Sequence, residues 1–144
     1  MIPVHNCAHY LEKALKSVLT QAPVPERMQI AVVDDASVDN PEEVAQRLSG
    51  SRVEVFRHQQ PQGAAGNFNA CLRLARGFWV HILHQDDAVS PGFYERFEGV
   101  ITKVPDVAAV FCRAIFIDEN DHWLGISDLV LRKPQILPQL LGWW

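Results

Sequence analysis

The chain has 144 residues, of which 48% are hydrophobic and 21% are charged, and its formal net charge is −4. This length and composition predict one ordinary soluble globular domain. The acidic balance argues against nucleic acid or an anionic membrane surface as a partner, and no apolar stretch approaches the roughly 20 residues that span a bilayer. The three cysteines, Cys7, Cys71 and Cys112, lie far apart without metal-type spacing, which favours reduced thiols in a cytoplasmic protein.

Short apolar runs alternate along the chain with segments of helical period. In chain order, the predicted elements are a short strand at 1–4, a helix at 10–19, a strand at 29–34, a helix at 41–48, a strand at 53–56, a helix at 63–75, a strand at 78–83, a helix at 91–104, and strands at 107–111 and 114–117 followed by a hairpin turn at 118–121. Strands that alternate with helices predict an α/β fold with a mostly parallel sheet and right-handed crossovers.

Two pairs of adjacent aspartates each follow a predicted buried strand. Asp34 and Asp35 follow the first of these strands, and Asp86 and Asp87 follow the second. In an open α/β sheet, ligands bind beyond the carboxyl ends of the strands. Four carboxylates at one edge would repel one another unless a cation or hydrogen-bond donors lay among them. The pattern therefore indicates a site for a divalent metal and a polar, phosphate-bearing ligand.

Other interpretations of these residues stay open at this point. Aspartate and serine are common in turns and caps, so segment 34–39 by itself favours a turn. The second pair, Asp86 and Asp87, favours a binding site over a simple turn, and carboxylates suit Mg²⁺ or Mn²⁺. His84 is either a further metal ligand or a partly buried histidine at a strand end, and the second interpretation is slightly favoured.

Segment 63–69 places two glycines and two asparagines at the start of a predicted helix. Backbone N–H groups at such a position can bind an anion. The glycine spacing is neither a dinucleotide fingerprint nor a P-loop. Asn67 and Asn69 also fit a simple role as helix caps.

Taken together and in order, these motifs resemble the opening of family 2 glycosyltransferases. The resemblance extends from Ile2 to at least Ile126 and rests on five segments: Ile2-Pro3-Val4-His5-Asn6, residues 15–21, residues 33–39, Gly63 with Asn69, and Gln85-Asp86-Asp87 followed by Pro91. It implies a GT-A fold, an α/β sandwich in which helices flank a mostly parallel sheet. Residues 1–144 are expected to form a single, incomplete domain of this type.

The resemblance also implies roles for individual residues. Contacts to the nucleotide-sugar are implied at Pro3, His5, Asp35, Asn69 and Asp86. Asp35 matches the carboxylate that binds the base, and Asp87 matches the ligand of Mn²⁺ or Mg²⁺, with Asp86 as a second candidate. The implied activity is transfer of a sugar from a nucleotide-sugar to a hydroxyl of a glycan, lipid or protein acceptor. A cytoplasmic location is expected, with membrane association of the intact protein left open.

The chain departs from the family pattern at both ends. Only Met1 and Ile2 precede the proline of the first strand, where the family has several apolar residues. The family's catalytic base has no match, because Asp118, Asp121 and Asp128 come too early. The chain is therefore expected to be the donor- and metal-binding half of a glycosyltransferase, truncated at both ends and a poor transferase in isolation.

Two alternatives to an enzyme remain. One is a non-catalytic module that binds a nucleotide or nucleotide-sugar, which the unassigned base favours. The other is a phosphoacceptor receiver domain, which also carries acidic residues after parallel strands. The second acidic pair and the asparagine-rich helix start fit a receiver domain poorly.

Overall fold

The computed structural model describes residues 1–104 and 106–128. The chain divides into two compact units, Met1–Gly99 and Val100–Trp144. Among the described residues, no helix is long and apolar enough to cross a bilayer. The apolar C-terminal segment, residues 129–144, lies outside the described residues.

The first unit is built on a three-stranded parallel sheet with the order β1-β2-β3. Its elements are β1 (Ile2–Val4), α1 (Ala8–Leu19), β2 (Ala31–Asp34), α2 (Pro41–Ser49), β3 (Glu54–Arg57), α3 (Gly63–Leu74) and the start of α4 (Phe93–Lys103). The predicted alternation of strands and helices is confirmed for these elements, with bounds that differ by a few residues.

Helices cover both faces of this sheet because successive side chains of a strand point to opposite faces. Val32 of β2 packs into the cluster that contains α1, whereas Val33 packs against Ala70 and Cys71 of α3. All four residues of β2 are buried. This two-sided burial explains why β2 is a continuous apolar run rather than an alternating one.

The predicted strand at 78–83 is wrong, since no strand forms there. The segment runs beside the start of the chain and makes two backbone bonds with it: the Met1 amino group donates to the His81 carbonyl over 2.9 Å, and the Leu83 N–H donates to the Met1 carbonyl over 3.0 Å. In β1, the backbone N–H and C=O groups of every second residue point towards segment 78–83. After Met1, the next N–H donor on this side would therefore be that of residue 3, which is Pro3. Proline has no N–H, and the ladder stops.

The second unit contains a hairpin of β4 (Ile115–Ile117) and β5 (Trp123–Ile126), paired antiparallel. The predicted turn at 118–121 is confirmed, because the Asp118 side chain accepts the N–H groups of Asn120 and His122, each over 2.8 Å. β5 was not predicted. The predicted strand at 107–111 is wrong, because no strand pairs with that segment among the described residues.

We expect His81 to make the stability of the first unit depend on pH. Its ring packs 5.0 Å from that of Phe93, centroid to centroid, and its Nδ1 lies 3.3 Å from the Tyr94 hydroxyl. Burial, aided by the nearby Met1 amino group, lowers the pKa of His81 to about 4. Below pH 6.5 the unfolded chain therefore binds a proton that the folded chain excludes until about pH 4.

We expect the free energy of unfolding to fall as the pH falls from 6.5 to 4, by less than the ~1.4 kcal/mol per pH unit that one whole proton provides. His81→Phe keeps the aromatic packing and should flatten this dependence. Urea titrations at several pH values measure it. Equal pH slopes in the two proteins would contradict the assignment.

Candidate active site

The candidate site lies at the carboxyl ends of β1 and β2, where the start of α3 and a turn at 84–87 come together. A pocket there is lined by Pro3, His5, Ala64, Asn67, Phe68, His84, Gln85 and Asp86. The structure thus brings together three of the residues predicted for nucleotide-sugar contacts, Pro3, His5 and Asp86. Asp35 and Asn69 are not among the lining residues.

Asp34 serves the turn after β2 rather than a ligand. It is 1% exposed, and one of its oxygens accepts the Ser37 N–H over 2.9 Å. The other accepts from Arg57 over 2.7 Å, and the same guanidinium donates to the Ser37 carbonyl over 2.7 Å. The turn interpretation is therefore correct for Asp34.

Asp35 caps helix α3 from a different element. Its carboxylate is buried, and its two oxygens accept the N–H groups of Gln62 over 2.6 Å and of Gly63 over 2.9 Å. Gly63 has a φ of +72°, a left-handed conformation that glycine adopts without strain. Each oxygen keeps a second lone pair, so Asp35 can still accept a hydrogen bond from a ligand.

His5 is held in one tautomer by its neighbours. Its Nδ1 lies 2.8 Å from the Asp35 carbonyl, which can only accept, so Nδ1 carries the proton. Its Nε2 then accepts from the Asn6 side-chain amide over 3.0 Å. With hydrogen-bond partners at both nitrogens, the exposed imidazole presents its ring to the pocket, and such a ring can stack on a base.

Asn67 lines the pocket, whereas the sequence-based prediction named Asn69 as the contact on this helix. Asn67 is 3% exposed, and its amide nitrogen donates to the carbonyls of Val33 over 2.9 Å and Val4 over 3.4 Å. It therefore joins the ends of β1 and β2 and does not cap α3. Its Oδ1 is buried without a partner among the described residues. Asn69, on the same helix, is exposed.

A signal for Asn67 exists in the sequence. Asn67 precedes Ala70, Cys71 and Leu74 by three, four and seven residues, which is the spacing of the helix stripe that faces a core. Ala70 and Cys71 are buried, and Leu74 is half-buried. A polar residue on a buried stripe must find hydrogen-bond partners.

We expect Asn67→Ala to lower the free energy of unfolding by about 1–3 kcal/mol, because the buried hydrogen bonds from Asn67 to the carbonyls of Val33 and Val4 are lost. Asn69→Ala is the matched control on the exposed face of α3 and should change it by less than about 0.5 kcal/mol. Urea denaturation measures both. Equal losses for the two variants would show that the bonds of Asn67 do not stabilise the sheet.

His84, Asp86 and Asp87 form the group that can hold a metal. Their ligand atoms all lie within 4.8 Å of one another, and all three side chains are exposed. The turn that carries them is closed by the Asp87 N–H, which donates to the His84 carbonyl over 3.1 Å. One imidazole nitrogen and two carboxylates form a donor set that fits a divalent cation. The histidine thus lies in the acidic turn rather than at the end of a strand.

The sequence matches the family model for glycosyl transferase family 2 over residues 1–142. It is 34% identical over 123 residues to an uncharacterized glycosyltransferase of Nostoc sp., covering 84% of this chain and 37% of that protein. It is also 33% identical over 95 residues to a chondroitin synthase of Pasteurella multocida, covering 65% of this chain and 10% of that protein. The chain thus spans well under half the length of these relatives.

Solved structures agree on the fold. The crystal structure of S. aureus TarS 1-349 in complex with UDP has a TM-score of 0.65 and 22% identity, over 72% of this chain and 31% of that one. The mannosyltransferase PcManGT from Pyrobaculum calidifontis, in complex with GDP-Man and Mn2+, has a TM-score of 0.54 and 25% identity, over 60% of this chain and 26% of that one. The predicted GT-A fold is confirmed, and because one family model spans residues 1–142, the chain belongs to glycosyl transferase family 2.

Proposed function

We propose that this chain forms the donor-binding part of a glycosyltransferase, which binds a nucleoside-diphosphate sugar together with a divalent cation and transfers the sugar to an acceptor hydroxyl. The observation that carries this proposal is the position of the metal-binding group. His84, Asp86 and Asp87 have their ligand atoms within 4.8 Å of one another, and two of them line the same pocket as Pro3 and His5. The base and the diphosphate belong to one nucleotide, so the residues that bind the base must lie next to the residues that bind the metal and the diphosphate.

On the base side of this pocket, Pro3 and His5 pack against the base. Asp35 accepts a hydrogen bond from a base N–H group through the second lone pair of its carboxylate. Asn67 offers a further acceptor, since its buried Oδ1 has no partner among the described residues.

On the phosphate side, Asp87 and Asp86 hold Mn²⁺ or Mg²⁺, with His84 as a third ligand. The cation supplies positive charge that offsets the charge of the leaving diphosphate. Asn69 keeps the donor-side role that the family resemblance implies, although it is exposed in this structure.

The comparisons support transfer rather than simple binding. The relatives are named as synthases and glycosyltransferases, and TarS has been solved with UDP and with UDP-GlcNAc. We further propose that residues 1–144 belong to one family 2 domain and that the protein acts in the cytoplasm. The acceptor is a hydroxyl of a glycan, lipid or protein, and the general base is not assigned to any residue of this chain.

Calorimetric titration of the chain with UDP and GDP, each with and without Mn²⁺, tests the donor site. We expect measurable affinity for at least one diphosphate and a clear increase in that affinity with Mn²⁺. Adenosine, which lacks phosphate, should show no increase with Mn²⁺. The proposal is wrong if neither diphosphate binds or if Mn²⁺ leaves both affinities unchanged.

A further inference from the structure

A side chain replaces the missing backbone ladder between β1 and the acidic turn. The Oε1 atom of Gln85 accepts the His5 N–H over 2.7 Å, and the Nε2 atom of Gln85 donates to the His5 carbonyl over 3.4 Å. Gln85 therefore satisfies both backbone groups of one residue, as a neighbouring strand would. It does so two residues beyond Pro3, the proline that ends the backbone ladder.

We propose that Gln85 is a positioning residue that couples the metal-binding turn to the base-binding side of the pocket. The proposal rests on the function proposed above. His5 is joined to Asp35 through its Nδ1, and Gln85 joins the backbone of His5 to the turn at 84–87. Through these two connections, the distance between the base contacts and the cluster of His84, Asp86 and Asp87 is held at one value.

This coupling matters because a nucleoside diphosphate is a single ligand with two ends. Its base and its diphosphate benefit from both contact surfaces only if the spacing of those surfaces is already correct. Preorganisation of this kind improves affinity by removing the cost of ordering the site when the ligand binds. The metal ligands themselves do not need Gln85, since all three lie in one turn closed by its own backbone bond.

Gln85→Met removes both hydrogen bonds at nearly constant side-chain size. We expect the increase in UDP affinity caused by Mn²⁺ to fall about five- to tenfold, the net worth of one to two hydrogen bonds. The affinities for uridine and for Mn²⁺ alone should each stay within about twofold of those of the unmutated chain, because the base-binding residues and the metal-binding turn each remain intact. Gln46→Met, at an exposed position of α2 outside the pocket, is the matched control and should match the unmutated chain in all three titrations.

A further measurement separates positioning from general damage. In Gln85→Met, the His5 amide should exchange its hydrogen faster by NMR, whereas the Asp35 amide, which donates to the Val4 carbonyl over 2.8 Å, should be unchanged.

The outcomes distinguish the two proposals. If the unmutated chain shows no Mn²⁺ effect on the affinity for either UDP or GDP, the proposed function and this inference both fall. If it shows one and Gln85→Met retains it, only the coupling is overturned. An equal loss of uridine affinity or a loss of affinity for Mn²⁺ alone would also overturn it.

Discussion

Replacing Asp87 with alanine should abolish the increase in UDP affinity that Mn²⁺ causes. Asp87 supplies one of two carboxylates in a cluster whose third member, His84, is neutral when it binds a metal. Its loss removes half of the negative charge that attracts the cation. Because the cluster is exposed, solvent screens this charge, and we expect the affinity for Mn²⁺ alone to fall by at least about tenfold.

Calorimetry with Mn²⁺ alone and with UDP in the presence and absence of Mn²⁺ measures both parts of this prediction. Glu26→Ala removes an exposed carboxylate outside the pocket and is the matched control for net charge. Thermal melting should show that Asp87→Ala folds like the unmutated chain, since its side chain makes no hydrogen bond that supports the fold among the described residues. A full Mn²⁺ effect in Asp87→Ala would show that the cation binds elsewhere.

The adjacent aspartates Asp34 and Asp35 should respond differently to the same substitution. Asp34→Ala should lower the free energy of unfolding by about 1.5–3 kcal/mol, because it removes hydrogen bonds from Ser37 and the charged Arg57. The loss should stay below that of a fully buried ion pair, since half-exposed Arg57 can return to water. UDP affinity should change little in the folded protein.

Asp35→Ala should reduce both stability and UDP affinity. It leaves the N–H groups of Gln62 and Gly63 without their acceptor, at a cost of about 1–3 kcal/mol. It also removes the charged acceptor proposed for the base, which should weaken UDP binding by about 1.5–3 kcal/mol.

Titrations of both variants with UDP, at a temperature where each is folded, separate the two roles. Because both variants carry the same substitution at neighbouring positions, each variant is a control for the other. Unchanged UDP affinity in Asp35→Ala would limit Asp35 to capping α3. A large loss of affinity in Asp34→Ala would mean that the turn it holds also shapes the pocket.

The two asparagines of α3 show where sequence reasoning stops short of the site. The family pattern pointed to Asn69, whereas the structure places Asn67 at the pocket and Asn69 in solvent. Helical spacing from Ala70 and Cys71 identifies Asn67 as a buried polar residue. It does not identify the carbonyls of Val4 and Val33 as its partners, because those lie 63 and 34 residues away along the chain.

Segment 78–83 shows a second limit of sequence reasoning, because a pattern that predicts a strand does not ensure that the strand forms. Its apolar and aromatic residues are typical of a buried strand, yet Phe78 is 95% exposed and no strand forms. A strand needs a partner with free backbone donors and acceptors at the right register. The proline at position 3 is visible in the sequence, but its place opposite this segment appears only when the two segments lie side by side.

The sequence by itself determined the family, the acidic pair Asp86 and Asp87, and the alternation of strands and helices from β1 to α3. These depend on periodicity and on motifs of neighbouring residues, which the order of the chain contains directly. Only the tertiary structure decided that Asp35 caps α3, that Asn67 joins two strands, and that Gln85 binds the backbone of His5. Each of these is a hydrogen bond between residues at least 27 positions apart, and its geometry exists only once the sheet and helices have packed.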